Sequence, residues 1–195
     1  MVTLVHAPQS RSSRCIWLLE ELEAPYDIKK VTISRQDGSG GRDPANPHPD
    51  GKVPALIDDG VVITESPAIF LYLTDKFPKN GLGPMVGDKQ RGPYLTWLSY
   101  YGGVIEPVVN AVFAGFENDA FRRTFRGKAE MDERLSKALS AGPYLMGDKF
   151  TAADILIGSL GAFARQMMPP GAVVDDYLKR IHERPAALRA REKDA

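Results

Sequence analysis

The feature that most constrains the fold is a change of period part-way along the chain. Up to about Lys76, short β-like apolar runs alternate with helically spaced ones, whereas beyond Gly87 every periodic stretch reads as helix or loop. Strands mixed with helices, then helices alone, imply an α/β domain followed by an all-α domain. The boundaries fall at 1–78 and 87–195, with 79–86 as a linker of Pro, Gly and Asn residues. A chain of 195 residues is long enough for two small cores.

Within the first part, Val2 to His6 is an apolar run suited to a buried strand. Ser10 to Ser13 can cap a helix, and Cys15, Leu18, Leu19 and Leu22 follow at helical spacing, with Glu20 and Glu21 expected to face outward. Ala24-Pro25 closes that helix, and Tyr26 to Ile33 is a second strand, giving a parallel β-α-β unit. Ser34 to Asp50 is rich in Gly, Pro, Asn and Asp, so it reads as loop with at most a short helix. Lys52 to Ile57 and Val61 to Thr64 flank Asp58-Asp59-Gly60, a hairpin signal. Ser66-Pro67 then opens a helix as cap and first-turn proline, with Ile69, Phe70, Leu73 and Phe77 on its apolar face.

The second part holds helical stretches over about Lys89 to Phe116, Ala120 to Ser140, Thr151 to Arg165 and Asp175 to Glu183. Gly102-Gly103 and Pro107 should break the first of these, and Gly142-Pro143 ends the second. Thr151 and Asp154 have the spacing of a capping box, with Phe150 and Ile155 placed for a hydrophobic staple.

Composition narrows the function. Lys plus Arg number 25 and Asp plus Glu 25, so no net field draws the chain to nucleic acid or an anionic membrane. No run is long enough to span a bilayer, and the N-terminus lacks the layout of a signal peptide. The single cysteine, Cys15, excludes an intrachain disulfide, a CxxC pair and a multi-cysteine metal site, and points to a reducing cytoplasm. His6, His48 and His182 are scattered without ligand spacing, so no metal is expected.

Three segments, SRSSRCIWLLEEL (Ser10 to Leu22), GKVPALIDDGVVITES (Gly51 to Ser66) and FTAADILIG (Phe150 to Gly158), resemble the glutathione S-transferase family in this order and separation. The resemblance covers nearly the whole chain. It implies a thioredoxin-like domain, β-α-β-α-β-β-α, followed by a helical bundle, with glutathione as co-substrate and a homodimer that pairs unlike domains of its two subunits.

The resemblance also assigns roles. Val53, before Pro54, would hold the cysteinyl backbone of glutathione. The residue before proline favours extended backbone, X–Pro is the bond where cis costs little, and an extended peptide can pair there as an added strand. A strand-opening proline is the plainer alternative. Glu65 and Ser66 would hold the γ-glutamyl end, Ser66 and the helix start taking its carboxylate and Glu65 its ammonium. Lys52 would lie near the glycine carboxylate, or would be a surface lysine. The SRSxR-like start favours Ser10 as the hydroxyl that stabilises the thiolate, then Ser12; both could instead only cap the helix. Free cysteine ionises near ~8.5, so a donor that lowers this value raises the reactive fraction.

Cys15 falls on the apolar helix face, where a small thiol is an ordinary core residue. The second-substrate pocket would be lined by Trp97, Tyr100, Tyr101 and Phe113, with Met167 and Met168 in reach. The Asn46 to Gly51 loop is longer than in many relatives. Conjugation of the glutathione thiolate to an apolar electrophile is the expected activity. Peroxide or disulfide reduction, and glutathione binding without turnover, are the alternatives.

Overall fold

The structure is a computed structural model and describes residues 1–194. The chain divides into two units, one of residues 1–80 with 184–194 and one of residues 81–183.

The first unit is built on a four-stranded sheet. Strand β1 (Val2–His6) is followed by helix α1 (Ser13–Glu21), β2 (Tyr26–Lys30), β3 (Ala55–Asp58), β4 (Val61–Thr64) and α2 (Ser66–Lys76). The order across the sheet is β2-β1-β3-β4, with β1 parallel to β2 and antiparallel to β3. β1 is central because Val2, Leu4, Val5 and His6 are all buried. The β3–β4 turn places Asp59 at φ 48° and Gly60 at φ 79°, the left-handed pair that matches the twist of a two-residue hairpin. On α1, Cys15, Ile16, Leu18 and Leu19 are fully buried; on α2, Ile69, Phe70 and Leu73 are too.

Three readings of the sequence change here. Residues 34–54 carry no helix, so the order is β-α-β-β-β-α rather than β-α-β-α-β-β-α. Side chains hold this loop instead: Thr32 and Ala45 N–H groups donate to Asp43, and Asn46 Nδ2 donates to the Lys52 carbonyl at 3.0 Å. Second, helix α2 begins at Ser66 itself, with Glu65 at the cap in backbone of φ 65°.

Third, Glu20 and Glu21 do not face solvent. A helix that the chain's periodicity did not reveal, residues Pro185–Lys193, returns to pack on α1 and covers both. Arg189 Nε and Lys193 Nζ donate to Glu20 at 2.8 and 2.5 Å, and Tyr26 Oη donates to it at 2.7 Å. Those bonds overcome burial, which would raise the Glu20 carboxyl, and hold it down at about 2. This last helix therefore belongs to the first unit, although the reading from sequence assigned everything after residue 86 to the helical domain. Its first-turn proline and small face of Ala186, Ala187 and Ala190 are what allow the close approach.

The second unit is helical: α3 (Arg91–Tyr100), α4 (Glu106–Phe113), α5 (Asp119–Phe125), α6 (Lys128–Ser140), α7 (Ala152–Phe163) and α8 (Ala172–His182), so the returning helix is α9. Residues Tyr101–Ile105, including Gly102 and Gly103, form a π turn between α3 and α4, which is the break their glycines imply. At the start of α7, Thr151 N–H donates to Asp154 Oδ2 and Leu145 N–H to Asp154 Oδ1, both at 2.8 Å. Tyr177 Oη reaches the same carboxylate at 3.3 Å. Burial nonetheless pushes the Asp154 carboxyl up to about 6. None of the described helices is long and apolar enough to cross a membrane.

Candidate active site

The strand register gathers three of the candidate segments at one end of the sheet. Val5 pairs with Ala55, and Ala55 pairs with Thr64. The loop leaving β1 (Ala7 to Ser12), the residues entering β3 (Lys52, Val53, Pro54) and those leaving β4 (Glu65, Ser66) are therefore neighbours. They follow the strand order β1, β3, β4. Val53 packs in one apolar cluster with Val5, Ala7 and Ala55, which ties the first two segments directly.

At the first position the serines do not cap α1. Ser12 sits at the cap, but its side chain turns back toward β1. Ser12 Oγ lies 2.8 Å from His6 Nδ1 and accepts from Ala7 N–H at 3.2 Å. It is fully buried, and so is His6. Ser10 is half-buried; its Oγ donates to the Ala7 carbonyl at 2.7 Å and lies 2.7 Å from Ser12 Oγ. The Ser12 N–H donates to Ser10 Oγ. Ser10 is thus the more accessible hydroxyl, with its neighbours already fixing the oxygen's place.

At the second position, the Val53–Pro54 bond is cis, and the Val53 main chain has no hydrogen-bond partner among the described residues. The Asn46 amide holds the adjoining Lys52 carbonyl, so the longer loop supports this segment from behind. Lys52 itself is exposed, with Nζ 3.9 Å from Asp50.

At the third position, Glu65 occupies a left-handed conformation that few non-glycine residues adopt. It sets Ser66, which is buried, as the first helical residue, with Pro67 next. The Ser66 hydroxyl has no partner among the described residues, and it stands where α2 presents unpaired N–H groups.

Cys15 is not part of this row. It is buried beneath the helix, and burial pushes its thiol up to about 12 against the opposing pull of Arg14. In the helical unit the four aromatics do not share one surface. Trp97 and Tyr100 meet edge to face at 5.9 Å, and the Arg134 guanidinium lies 3.9 Å from the Tyr100 ring centre. Tyr101 is buried with its hydroxyl on Glu106, and Phe113 is half-exposed. Met167 and Met168 are buried. Among the described residues no cluster could hold a metal ion.

Comparison with known proteins decides the family. The model of the glutathione S-transferase N-terminal domain matches residues 10–76. The chain is 35% identical to an uncharacterised GST-like protein of Streptococcus mutans, over 91% of this chain and 76% of that one. The chain belongs to the glutathione S-transferase family. The chain also resembles an oxidoreductase over nearly its whole length. It is 30% identical to the disulfide-bond oxidoreductase YfcG of Escherichia coli, over 97% of this chain and 94% of that one. A sphingomonad glutathione S-transferase solved in complex with glutathione superposes with a TM-score of 0.77 at 27% identity, covering 98% of each chain. The sheet unit is therefore the thioredoxin-like domain of a glutathione S-transferase, and the chain stands among glutathione-related enzymes.

Two residues at this site escaped the sequence reading. His6 was legible only as a polar end to an apolar strand, yet its ring supports Ser12 from below. Asp194 carries no sequence signal at all. Its carboxylate accepts from Ser13 Oγ at 2.5 Å and from Gln9 N–H at 3.4 Å, and it lies 3.5 Å from His6 Nε2. Burial lowers the His6 pKa; Asp194 opposes this, and Lys30 adds to it.

Proposed function

We propose that this glutathione S-transferase binds glutathione along the three-segment row and uses Ser10 to stabilise its thiolate for attack on the electrophilic carbon of an apolar substrate. The observation that carries the reading is the convergence itself. Neighbouring strands stand about 4.8 Å apart, so segments on three successive strands span about 10 Å, the length of an extended tripeptide.

Each position offers the chemistry that one part of glutathione needs. The unpaired main chain of Val53 matches the cysteinyl backbone as an added strand. The α2 start, with Ser66 and Glu65, matches the γ-glutamyl carboxylate and ammonium. Lys52 is left to meet the glycine carboxylate. The Ser10 proton now faces two neutral acceptors, Ala7 O and Ser12 Oγ. A thiolate is a charged third acceptor and forms the stronger bond. In the reaction the sulfur forms a bond to carbon as the leaving group departs with its electron pair.

The likeness to a disulfide-bond oxidoreductase favours a second reading, in which the same bound thiolate attacks a disulfide sulfur. The sealed Cys15 thiol cannot serve there, so such a reduction would consume a second glutathione. The deciding experiment follows thiolate absorbance of bound glutathione against pH in wild type and Ser10→Ala, alongside rates with chlorodinitrobenzene and hydroxyethyl disulfide. A bound thiol pKa below that of free glutathione, rising in the variant, with conjugation the faster reaction, is the expected result. Tight binding with an ordinary thiol pKa and neither rate would leave a binding protein.

A further inference from the structure

We propose that Asp194 and His6 are positioning residues for Ser10, which they hold from two sides through Ser12 and Ser13. The proposal rests on the reading of Ser10 as the thiolate donor. One route runs from Asp194 Oδ1 to His6 Nε2 (3.5 Å), from His6 Nδ1 to Ser12 Oγ (2.8 Å), and from there to Ser10 Oγ (2.7 Å). The other runs from Asp194 Oδ1 to Ser13 Oγ (2.5 Å), which accepts from the Ser10 N–H (3.2 Å). The hydroxyl and the main chain of Ser10 are both anchored, and a single carboxylate closes the loop.

The chemistry of His6 orders the donors. The ring is fully buried, and Asp194 is the polar group that its Nε2 faces; that nitrogen has no hydrogen-bond partner among the described residues. Burial keeps the imidazole neutral, against the pull of Asp194 and with Lys30 adding its repulsion. A neutral ring has one N–H and one bare nitrogen. The N–H belongs on the side of the carboxylate, so Nδ1 accepts the Ser12 proton. Ser12 Oγ then keeps its lone pairs for the Ala7 N–H, and the Ser12 N–H, donated to Ser10 Oγ at 3.2 Å, goes on holding the Ser10 oxygen when its proton turns to the thiolate. The Asp194 anchor sits one residue beyond α9, so docking of α9 on α1 delivers it to the loop.

The test is the bound-thiol pKa in Asp194→Ala, with Ser13→Ala as the milder variant should the first fold poorly. Removing a negative charge near the site would by itself lower a thiol pKa. A rise therefore reports lost geometry. The expected result is a rise of about half a unit or more and a fall in kcat/KM of about tenfold, with the KM for glutathione within about twofold. Lys193→Ala, which weakens α9 docking but leaves the carboxylate, should stay near wild type. The proposal is overturned if Asp194→Ala and Ser13→Ala leave the thiol pKa unchanged or lowered while Ser10→Ala raises it. If Ser10→Ala has no effect, the thiolate reading fails and this proposal falls with it.

Discussion

Arg184 grips Glu21 with two parallel bonds, Nε to Oε1 at 2.6 Å and Nη2 to Oε2 at 2.7 Å. The Glu21 side chain is almost fully covered, so this fork and the neighbouring Glu20 cluster decide whether α9 docks. Removing one member leaves a largely buried charge without its partner.

Glu20→Gln should therefore destabilise the protein by about 2 kcal/mol at neutral pH, since Arg189 and Lys193 are half-exposed and part of their charge returns to solvent. The Glu20 carboxyl is held below its ordinary value, so its contribution is present above the unfolded pKa and is lost as pH falls towards about 2. Urea midpoints of wild type and variant should differ at pH ~7, narrow below pH ~4 and converge only as the pH approaches ~2. A constant gap would contradict the assignment.

The His6 imidazole is held neutral by burial, below its ordinary range. The unfolded chain takes up a proton below about pH 6.5 and the folded one resists, so stability must fall as the solution is acidified through that value. In His6→Gln, the slope of stability between pH ~7 and ~5 should flatten, even if the variant is less stable throughout.

Cys15 should not react with a thiol reagent in the native protein at pH ~8, because its thiol is both buried and pushed up to about 12. It should react fully in denaturant. Cys15→Ala is expected to keep wild-type conjugation and disulfide-reduction rates at a stability cost of about 1–2 kcal/mol. Loss of either activity in that variant would restore a redox role for the protein thiol.

Glu65 stores backbone strain at φ 65°, where glycine is at ease. Glu65→Gly should change stability little, the relieved strain of about 1 kcal/mol offsetting the added chain entropy. The same variant should weaken glutathione binding, measured by calorimetry, because on the proposed reading it removes the carboxylate that meets the γ-glutamyl ammonium.

Asp154→Ala should cost about 3 kcal/mol or more. It strips the acceptor from the Thr151 and Leu145 N–H groups at a fully buried helix start. Thermal unfolding checks this, and the loss should be structural, with glutathione affinity unchanged in the protein that remains folded.

Much of the frame was legible because it rests on local chemistry. Val2 to His6 had to be a buried strand by its short apolar run, Asp59-Gly60 had to turn, and Asp154 had to hold the start of its helix three residues after Thr151. The three loop segments that meet at one end of the sheet were legible too, through motif order. Ser66 was misplaced by one position, since nothing local shows that Glu65 would accept a left-handed cap.

The sequence by itself determined most of the strands and helices and which loop segments lie at the strand ends. Those outcomes depend on spacing, turn chemistry and apolar runs within a few residues. Only the tertiary structure decided where the last helix goes, and with it the fate of Glu20, Glu21, Ser13 and His6. Asp194 acts on Ser13 across 181 positions of sequence. A carboxylate has no periodicity to announce its partner, and its role exists only once packing of α9 on α1 brings it there.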